Sequence, residues 1–577
     1  MSYFDDASLV MIPSGYKDQK VYSVKPIDGS GDLTFSRASN ATRVNSSGLV
    51  EKVRTNLVLQ SNTFNTTWTT PNVSVTGGQT DPDGGTTAWL VTETVDGGSL
   101  RQAITATGSL TFSFTLKANT GTTSATLFCT DASQQAAFDL SNGTFSESGA
   151  VAKMVSLGNG WYRCSISFTA SAASTLILFP SSGAAVGSTF ATKAQLETGD
   201  IATDYIATTS AAVSVGPVSG LPRLDYSGGA SCPSLLLEPQ RSNLLTFSEQ
   251  INNAAFIGST PVTANAGVSP DGYTNADAVK ESATAAFHIK GQLQSFTSGT
   301  AYTFSFFAKA DGRSFARVLF GNAPFTTNES AYYNLTTGAT SSSANCTASM
   351  VNYGNGWWRC VVTATANATA TDAVYFGPAR NMTDGYATYE GNPSVGIYAW
   401  GAQLEAAAYA TSYIPTLSSA VTRVADTYQK GGFGNTSTAG TLYYEFEATN
   451  ISSPNGQYLI SLFAGSSVGG AFFADGNAIT LCGNGPQIQA FNNGYSQLLF
   501  TTTPAVGSTV KVALRYDGTN VVAFLNGVKQ TVFADTAVGV KNAIRVNNAE
   551  NGTQATKQLL FFPIALSDAD AITLTTL

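Results

Sequence analysis

Apolar and polar residues alternate with a period of two in many short stretches of this chain. The clearest are Leu110–Ala118 (LTFSFTLKA), Trp161–Ala170 (WYRCSISFTA) and Trp357–Ala366 (WWRCVVTATA). Alternation of this kind predicts β-strands that bury one face and expose the other. Turn-forming pairs, Asn159-Gly160 and Asn355-Gly356, precede two of these strands. Because no convincing amphipathic helix separates the strands, the pattern predicts an all-β protein of antiparallel β-sandwiches of jelly-roll type.

One seven-residue motif occurs twice, as GNGWYRC at 158–164 and as GNGWWRC at 354–360. The similarity extends outward from the motif in both directions. The spacing between matched residues grows along the chain through 187, 188, 192, 195, 196 and 208, with the largest increase near PARNMTDGYATYEGNPS. Slow growth is typical of a duplicated domain that accumulated insertions in surface loops. We therefore predict two β-sandwich repeats, 48–215 and 216–428.

The repeated motif has two interpretations. In the favoured interpretation the motif is structural. Asn-Gly makes the hairpin turn, the Trp fills the core or its edge, and the Arg pairs with the Glu of a matched AQLE segment. In the other, the exposed aromatic ring and the Arg form a platform that stacks on sugars. The structural residues are Trp161, Arg163 and Glu197 in the first repeat and Trp357, Arg359 and Glu405 in the second.

Aromatic residues that differ between the repeats are the better candidates for a ligand site, because binding surfaces diverge in loops while scaffolds persist. These candidates are Trp68, Trp89 and Tyr273. Trp89 is matched by Asp277 in the second repeat, so the fold does not require a Trp there. We expect all three on exposed strands or loops.

Charge and composition exclude several classes of function. Charged residues are 11% of the chain, and the net charge is −8. The charged residues form no acidic or basic block, which disfavours nucleic-acid binding. No apolar run reaches the roughly 18 residues of a membrane-spanning helix. The N-terminal residues lack the features of a secretion signal. Six dispersed cysteines without a CxxC pair predict reduced, mostly buried thiols and no metal site.

A third sandwich is predicted at 441–577, after a loose linker at 429–440. Asp517-Gly518 and Asn526-Gly527 predict two consecutive hairpins, with Asp517 as a turn residue. The DGT…LNGV segment followed by ALSDAD resembles the concanavalin A-like, laminin-G-like jelly roll. That resemblance implies a lectin-type fold.

The stretch LTFSRASNATRVNSSGLVE, with the later PDG, GNGW and QLE…Y elements, resembles the modular structural proteins of tailed bacteriophages from Leu9 to about Tyr428. The resemblance implies a head-fibre, tail-fibre or capsid-decoration protein at the virion surface, assembled in the host cytoplasm, and by analogy a homotrimer. Residues 1–47 carry apolar residues but too few strands for a core of their own. We expect them to order against other virion proteins and to anchor the chain.

No catalytic site is visible. The single histidine, His288, has no marked nucleophile or acid beside it and is expected to be a surface or strand residue. No cofactor fingerprint is present. The chain is therefore expected to be a non-enzymatic virion protein without nucleic-acid or membrane partners. Two alternatives stay open: an adhesin or lectin that binds cell-surface polysaccharide, and a tail-associated polysaccharide depolymerase.

Overall fold

The computed structural model describes residues 3–183, 186–325, 329–384, 388–447, 457–464, 478–484, 487–492, 496–499, 505, 507–534, 539–546 and 554–577. These residues are nearly all β, which confirms the predicted fold class of tandem antiparallel β-sandwiches. The helices described are short: Tyr3–Asp6, Asp568–Thr575 and the 3₁₀ turns Asp131–Ser133 and Ser227–Gly229. The chain divides into two compact units, Val53–Gly216 and a larger one made of Met1–Lys52 and Pro217–Leu577.

The unit Val53–Gly216 is one β-sandwich, the first repeat. Its described residues form a six-stranded sheet in the order Val151–Gly158, Trp161–Ala170, Gly108–Ala118, Ser188–Thr198, Ala88–Glu93, Val73–Gln79. The facing five-stranded sheet has the order Leu100–Ile104, Ser174–Phe179, Ser124–Cys129, Gln134–Asp139, Thr144–Ser148. The two ends of the unit pair with each other as Arg54–Asn56 and Val213–Val215.

The second repeat, in the larger unit, has the same strand order, which supports duplication of a whole domain. Its six-stranded sheet runs Val262–Val268, Thr274–Lys280, Gly396–Glu405, Ala301–Asp311, Trp358–Thr365, Cys346–Asn352 among the described residues. Its five-stranded sheet runs Lys290–Phe296, Ala370–Ala379, Phe315–Phe320, Ser330–Asn334, Thr340–Ser342. Smaller described pairs are Arg241–Asn243 with Val421–Arg423, Ala285–Ala286 with Tyr389–Glu390, and Thr42–Val44 with Val50–Lys52.

A third sandwich, here called the terminal sandwich, draws its strands from both ends and the middle of the chain. One sheet of described strands runs Leu224–Asp225, Ser234–Leu237, Gln554–Phe562, Gly440–Glu447, Thr509–Tyr516, Asn520–Leu525, Val528–Ala534, with Leu9–Met11 also paired to Gln554–Phe562. The other runs Tyr16–Lys17, Lys20–Val21, Leu33–Ser36, Thr427–Gly431, Lys541–Val546, Gln457–Ala464, Ala478–Asn484, Gln487–Asn492, Ser496–Leu499. Both predicted hairpins are present here, and the Asp517 carboxylate accepts backbone bonds of the first turn.

The N-terminal segment is part of this sandwich, which corrects the expectation that it orders against a partner. Leu9 lies opposite Phe561 in the sheet, and Phe35 lies opposite Tyr428. Leu9, Val21 and Phe35 are buried in the core of the terminal sandwich. The physical reason is that the segment supplies strands that the C-terminal part of the chain lacks.

The predicted loose linker at 429–440 is also corrected. Its first residues belong to the strand Thr427–Gly431, which lies inside a sheet between Leu33–Ser36 and Lys541–Val546. Phe433 is buried in the same core. Of the cysteines whose side chains are described, four are buried and free, and Cys232 is exposed and free; the Cys482 side chain lies outside the description.

A buried ionic network joins distant parts of the larger unit. Asp426 forms ion pairs with Arg223 and, at 3.0 Å, with Arg37. Glu238 forms ion pairs of 2.7 Å with Arg223 and with Arg423. All five side chains are at most 2% exposed. The network therefore links the N-terminal segment, the chain that enters the second repeat, and the chain that leaves it.

Candidate functional site

The repeated seven-residue motif is structural in both copies. Asn159 and Asn355 have left-handed φ angles of 52° and 51°, as a tight hairpin turn between antiparallel strands requires. Trp161 and Trp357 are both buried. The motif therefore occupies equivalent hairpins, and its aromatic ring is not exposed for stacking on a ligand.

The expected Arg–Glu ion pairs are replaced by another arrangement. Arg163 donates to the Ser113 hydroxyl at 3.0 Å, and Arg359 donates to the Ser305 hydroxyl at 3.0 Å. In the first repeat, Arg163 lies opposite Thr115 and Glu197 opposite Thr111 of one central strand. Four residues of strand span about 13 Å, so the Arg and the Glu sit at different levels of the sheet.

Glu197 and Glu405 instead bind the segment that follows their own strand, at Thr203 and Thr411. The Glu197 carboxylate accepts from the Thr203 backbone N–H at 2.9 Å and from the Gln195 side chain at 2.6 Å. The Glu405 carboxylate accepts from Thr411 at 2.9 Å and from Gln403 at 2.8 Å. The same polar network is thus built twice, which explains why QLE recurs; the Tyr that follows it bonds a serine hydroxyl in each repeat, Ser61 or Ser248.

The three aromatic candidates do not share one site. Trp68 is 5% exposed, packs against Phe64 and Phe114, and donates its indole N–H to a backbone carbonyl. Its expected exposure is therefore wrong, and Trp68→Ala is expected to cost about 3–5 kcal/mol of stability, as core substitutions of Trp do. Trp89 in the first repeat and Tyr273 in the second are half-buried, and ligand contacts by these two stay a prediction.

A cleft of about 930 Å³ in the larger unit is lined by residues of the second repeat and of the terminal sandwich. The strand Gln554–Phe562 forms part of one wall. On one edge it pairs with Ser234–Leu237 at 554–556 and with Leu9–Met11 at 559–561. Lys557 and Gln558 lie in the gap between these two short partners, and both line the cleft.

Acidic side chains line the same wall. Glu445 and Glu447 alternate with Tyr444 and Phe446, whose rings are buried in the sandwich core. Because side chains of a strand alternate between its faces, the two glutamates lie on the face opposite the core. The Glu447 carboxylate lies 3.9 Å from the Lys557 ammonium.

Two carboxyl groups in the cleft hold their protons more tightly than usual. Burial raises the pKa of Asp225, although hydrogen bonds from Ser227 and Val44 oppose it. Burial also raises the pKa of Glu447, Lys557 lowers it, and the nearby Asp225 charge raises it further. The two acids are therefore electrostatically coupled across one cleft.

Aromatic and hydroxyl groups also line the cleft. Tyr353 and Ser412 come from the second repeat, and Tyr226 and Ser231 come from the loop between Leu224–Asp225 and Ser234–Leu237. Carboxylates, an amide, hydroxyls and aromatic rings around one concave surface can bind a polyhydroxylated ligand, since the polar groups match hydroxyls and the rings pack on C–H faces.

Of the site residues that were named from the sequence, only Arg359 lines this cleft. The signals available in the sequence were the alternating glutamates of TLYYEFEAT and the small-residue loop SGGASCP. Among the described residues, no group of three or more His, Cys, Asp or Glu side chains is arranged to hold a metal ion. The described helices include none long and apolar enough to cross a membrane.

No protein-family model and no curated protein matches the chain. Among solved structures, it is similar to the CBM40 of the Ruminococcus gnavus IT-sialidase bound to α2,3-sialyllactose, with 16% identity, 24% of this chain and 82% of that chain covered, and a TM-score of 0.19. It is similar to the tandem CBM22 domains of Paenibacillus barcinonensis Xyn10C, with 13% identity, 64% and 100% covered, and a TM-score of 0.22.

The mouse laminin α1 chain domains LG4-5 are also similar, with 11% identity, 50% of this chain and 94% of that chain covered, and a TM-score of 0.16. At these TM-scores the likenesses carry no argument about ligand or function. None of the three gives an indication of a bacteriophage origin.

Proposed function

We propose that the protein is a non-catalytic glycan-binding protein whose 930 Å³ cleft in the larger unit holds the ligand. The observation that carries the proposal is the lining of that cleft. Glu445, Gln558 and Lys557 offer hydrogen-bonding groups from two neighbouring strands, and Tyr226 and Tyr353 offer aromatic rings. The sandwiches on both sides fix these groups in place, so that little ordering is needed on binding.

A glycan array with the full-length chain tests the proposal. Glu447→Gln and Tyr226→Ala should each weaken retention of the bound glycan at least tenfold without unfolding the protein. Glu147→Gln, which changes an exposed acid of the first repeat, is the matched control and should retain binding. Absence of binding to every glycan, or retention unchanged in both cleft variants, would contradict the proposal.

A second candidate function is that of a polysaccharide depolymerase. Asp225 and Glu447 line the same cleft, and a glycosidase uses a pair of carboxyl groups beside the bond that it cleaves. Release of reducing ends from surface polysaccharide, abolished in Asp225→Asn and Glu447→Gln, would establish this reading. Binding without any product over a long incubation would favour the non-catalytic one.

The place of the protein on a bacteriophage particle is part of the same proposal, and it rests on the sequence resemblance. The N-terminal segment supports an attachment role because Phe4, Tyr22, Val24 and Ile27 stay exposed, Ile27 at 95%. Exposed apolar clusters are typical of protein contact sites. Ile27→Asp should abolish incorporation into particles, and light scattering should give three times the chain mass if the protein is a homotrimer.

A further inference from the structure

Two loops that are longer in the second repeat than in the first meet in the structure. The spacing of matched residues rises from 188 at Asp81/Ser269 to 192 at Ser113/Ser305, and later from 196 to 208. The first increase falls between Ser269 and Ser305, a stretch that contains Ala285–Ala286, and the second falls between Cys360 and Ala402, a stretch that contains Tyr389–Glu390. These two segments pair as an antiparallel ladder. The insertions therefore build one feature together.

His288 fastens the two loops to each other. Its Nδ1 accepts the Ser282 backbone N–H at 3.1 Å, and its Nε2 lies 2.9 Å from the Tyr389 carbonyl oxygen, to which it donates. The imidazole is 1% exposed and packs edge-on against the Tyr389 ring. The expectation of a surface or strand histidine is thus corrected: His288 is buried and lies outside the strands, and both of its ring nitrogens form hydrogen bonds within the fold.

A second set of contacts fixes the loop that contains Tyr389. The Tyr389 hydroxyl donates to Glu281 at 2.7 Å, and Arg313 donates two bonds of 2.6 and 2.8 Å to the same carboxylate. The Arg380 guanidinium lies 4.4 Å from the Tyr389 ring centroid. These contacts fix the loops before any ligand arrives.

A cavity of about 460 Å³ lies beside the joined loops. Most of its wall is carbon, supplied by Ala286, Phe287, Ile289, Leu319 and Tyr375. Phe287 is 41% exposed although it is a large apolar side chain. The Tyr375 ring packs closely over Gly291, where a Cβ would come within 2.5 Å of it. The cavity therefore presents two aromatic rings, those of Phe287 and Tyr375.

The polar groups of the cavity are few and uncharged. Ser259, Thr388 and Tyr375 supply hydroxyls, and no Lys, Arg, Asp or Glu is among its described lining residues. A charged ligand would lose its hydration without compensation, and a fully hydroxylated sugar would leave hydroxyls without partners. A ligand that suits this wall has an apolar group, a C–H face for the rings and a few hydroxyls.

We propose that this cavity, separate from the cleft described above, binds a single uncharged sugar residue that carries a methyl or acetyl substituent, such as a 6-deoxyhexose or an N-acetylhexosamine. The Phe287 and Tyr375 rings pack on the C–H face of the sugar. The substituent contacts Ala286, Ile289 and Leu319, and the hydroxyls of Ser259 and Thr388 orient the ring.

Saturation-transfer NMR on the full-length protein tests the proposal, with methyl fucoside, methyl rhamnoside and methyl N-acetylglucosaminide as probes and methyl glucoside as the comparison. At least one methyl-bearing sugar should bind tenfold or more tightly than methyl glucoside. Phe287→Ser should reduce its affinity at least tenfold, and Ala286→Trp, which fills the cavity, should abolish binding.

Phe145→Ser is the matched control, because Phe145 in the first repeat is 45% exposed, and it should bind as the parent does. The cleft variant Glu447→Gln should also keep this binding, so that failure here and failure of the proposed cleft are distinguishable. Equal binding of methyl glucoside, no binding of any probe, or insensitivity to Phe287→Ser and Ala286→Trp would overturn the proposal, as would loss in Glu447→Gln alone.

Discussion

Asn56 and Asn243 show what a matched residue does in the two repeats. The Asn56 side-chain amide donates to the carbonyls of Ala194 and Ile206 at 3.0 and 2.7 Å. Asn243 donates to the equivalent carbonyls of its own repeat at 3.1 and 2.9 Å. A buried polar group left without its partner costs about 1–3 kcal/mol. Such residues are retained in both copies because the fold needs their hydrogen bonds.

The buried ionic network is sensitive to single substitutions. Asp426→Ala is expected to lower the free energy of unfolding of the larger unit by about 3–5 kcal/mol, because Arg37 would stay buried without its carboxylate and Arg223 would keep only Glu238. Urea unfolding followed by circular dichroism measures the loss. Lys529→Ala, which removes a half-exposed pair with Asp568, is the control and should cost less than about 1 kcal/mol.

The same network predicts an acid-sensitive stability. Burial would raise the pKa of Glu238, but Arg423 and Arg223 outweigh it and lower the pKa to about 2 from 4.5. The folded state therefore keeps this carboxylate ionised where the unfolded chain takes up a proton. Its contribution, about 3 kcal/mol, is complete above pH 4.5 and is lost as the pH falls from 4.5 towards 2.

Melting temperatures between pH 7 and pH 3 check this sign. The parent should lose stability steeply below pH 4.5, and Glu238→Gln, which cannot titrate at this position, should give a shallower acid slope from a lower starting value. Parallel slopes for the two proteins would contradict the assignment.

At the scale of elements, the terminal sandwich is assembled from strands far apart in sequence. Leu33–Ser36 pairs with Thr427–Gly431, and Leu9–Met11 pairs with Gln554–Phe562. Pairings of such separation carry a large cost in chain entropy that only core burial offsets. The N-terminal strands are therefore part of this sandwich's stability, whatever else they contact.

Phe35 tests that role. Phe35→Ala is expected to destabilise the larger unit by about 3–5 kcal/mol, because the ring is completely buried in the core of the terminal sandwich. Ile27→Ala, in the same segment but 95% exposed, should leave the unfolding midpoint unchanged. Equal behaviour of the two variants in thermal and urea unfolding would show that the segment does not belong to the core.

At the scale of the whole molecule, the first repeat is a compact unit inserted into the chain of the larger one. Its ends pair as Arg54–Asn56 and Val213–Val215, and its core is its own. Residues 53–216 expressed alone are expected to fold cooperatively, with dispersed NMR signals and one thermal transition. A chain of residues 217–428 alone is the comparison; it lacks Arg37 and should be markedly less stable. An unfolded 53–216 fragment would contradict the independence of the unit.

Much of the fold could be predicted from the sequence, because the signals that indicate strands and turns come from neighbouring residues. Strand alternation and Asn-Gly turns depend on neighbouring residues, and the matched segments around GNGW predicted that one β-sandwich domain is present twice. The residues that line the cleft could not be predicted from the sequence. Asp225, Glu447 and Tyr353 come from three separate stretches, and nothing local to any one of them indicates the others.

The sequence by itself determined the class of fold and indicated the duplication, because each depends on short-range periodicity or on repetition. Only the tertiary structure decided which sandwich the N-terminal strands complete, which carboxylates face which arginines, and how the inserted loops around His288 and Tyr389 enclose a cavity. Those outcomes depend on contacts between residues hundreds of positions apart, and such contacts are chosen by burial and charge pairing in three dimensions rather than by sequence neighbours.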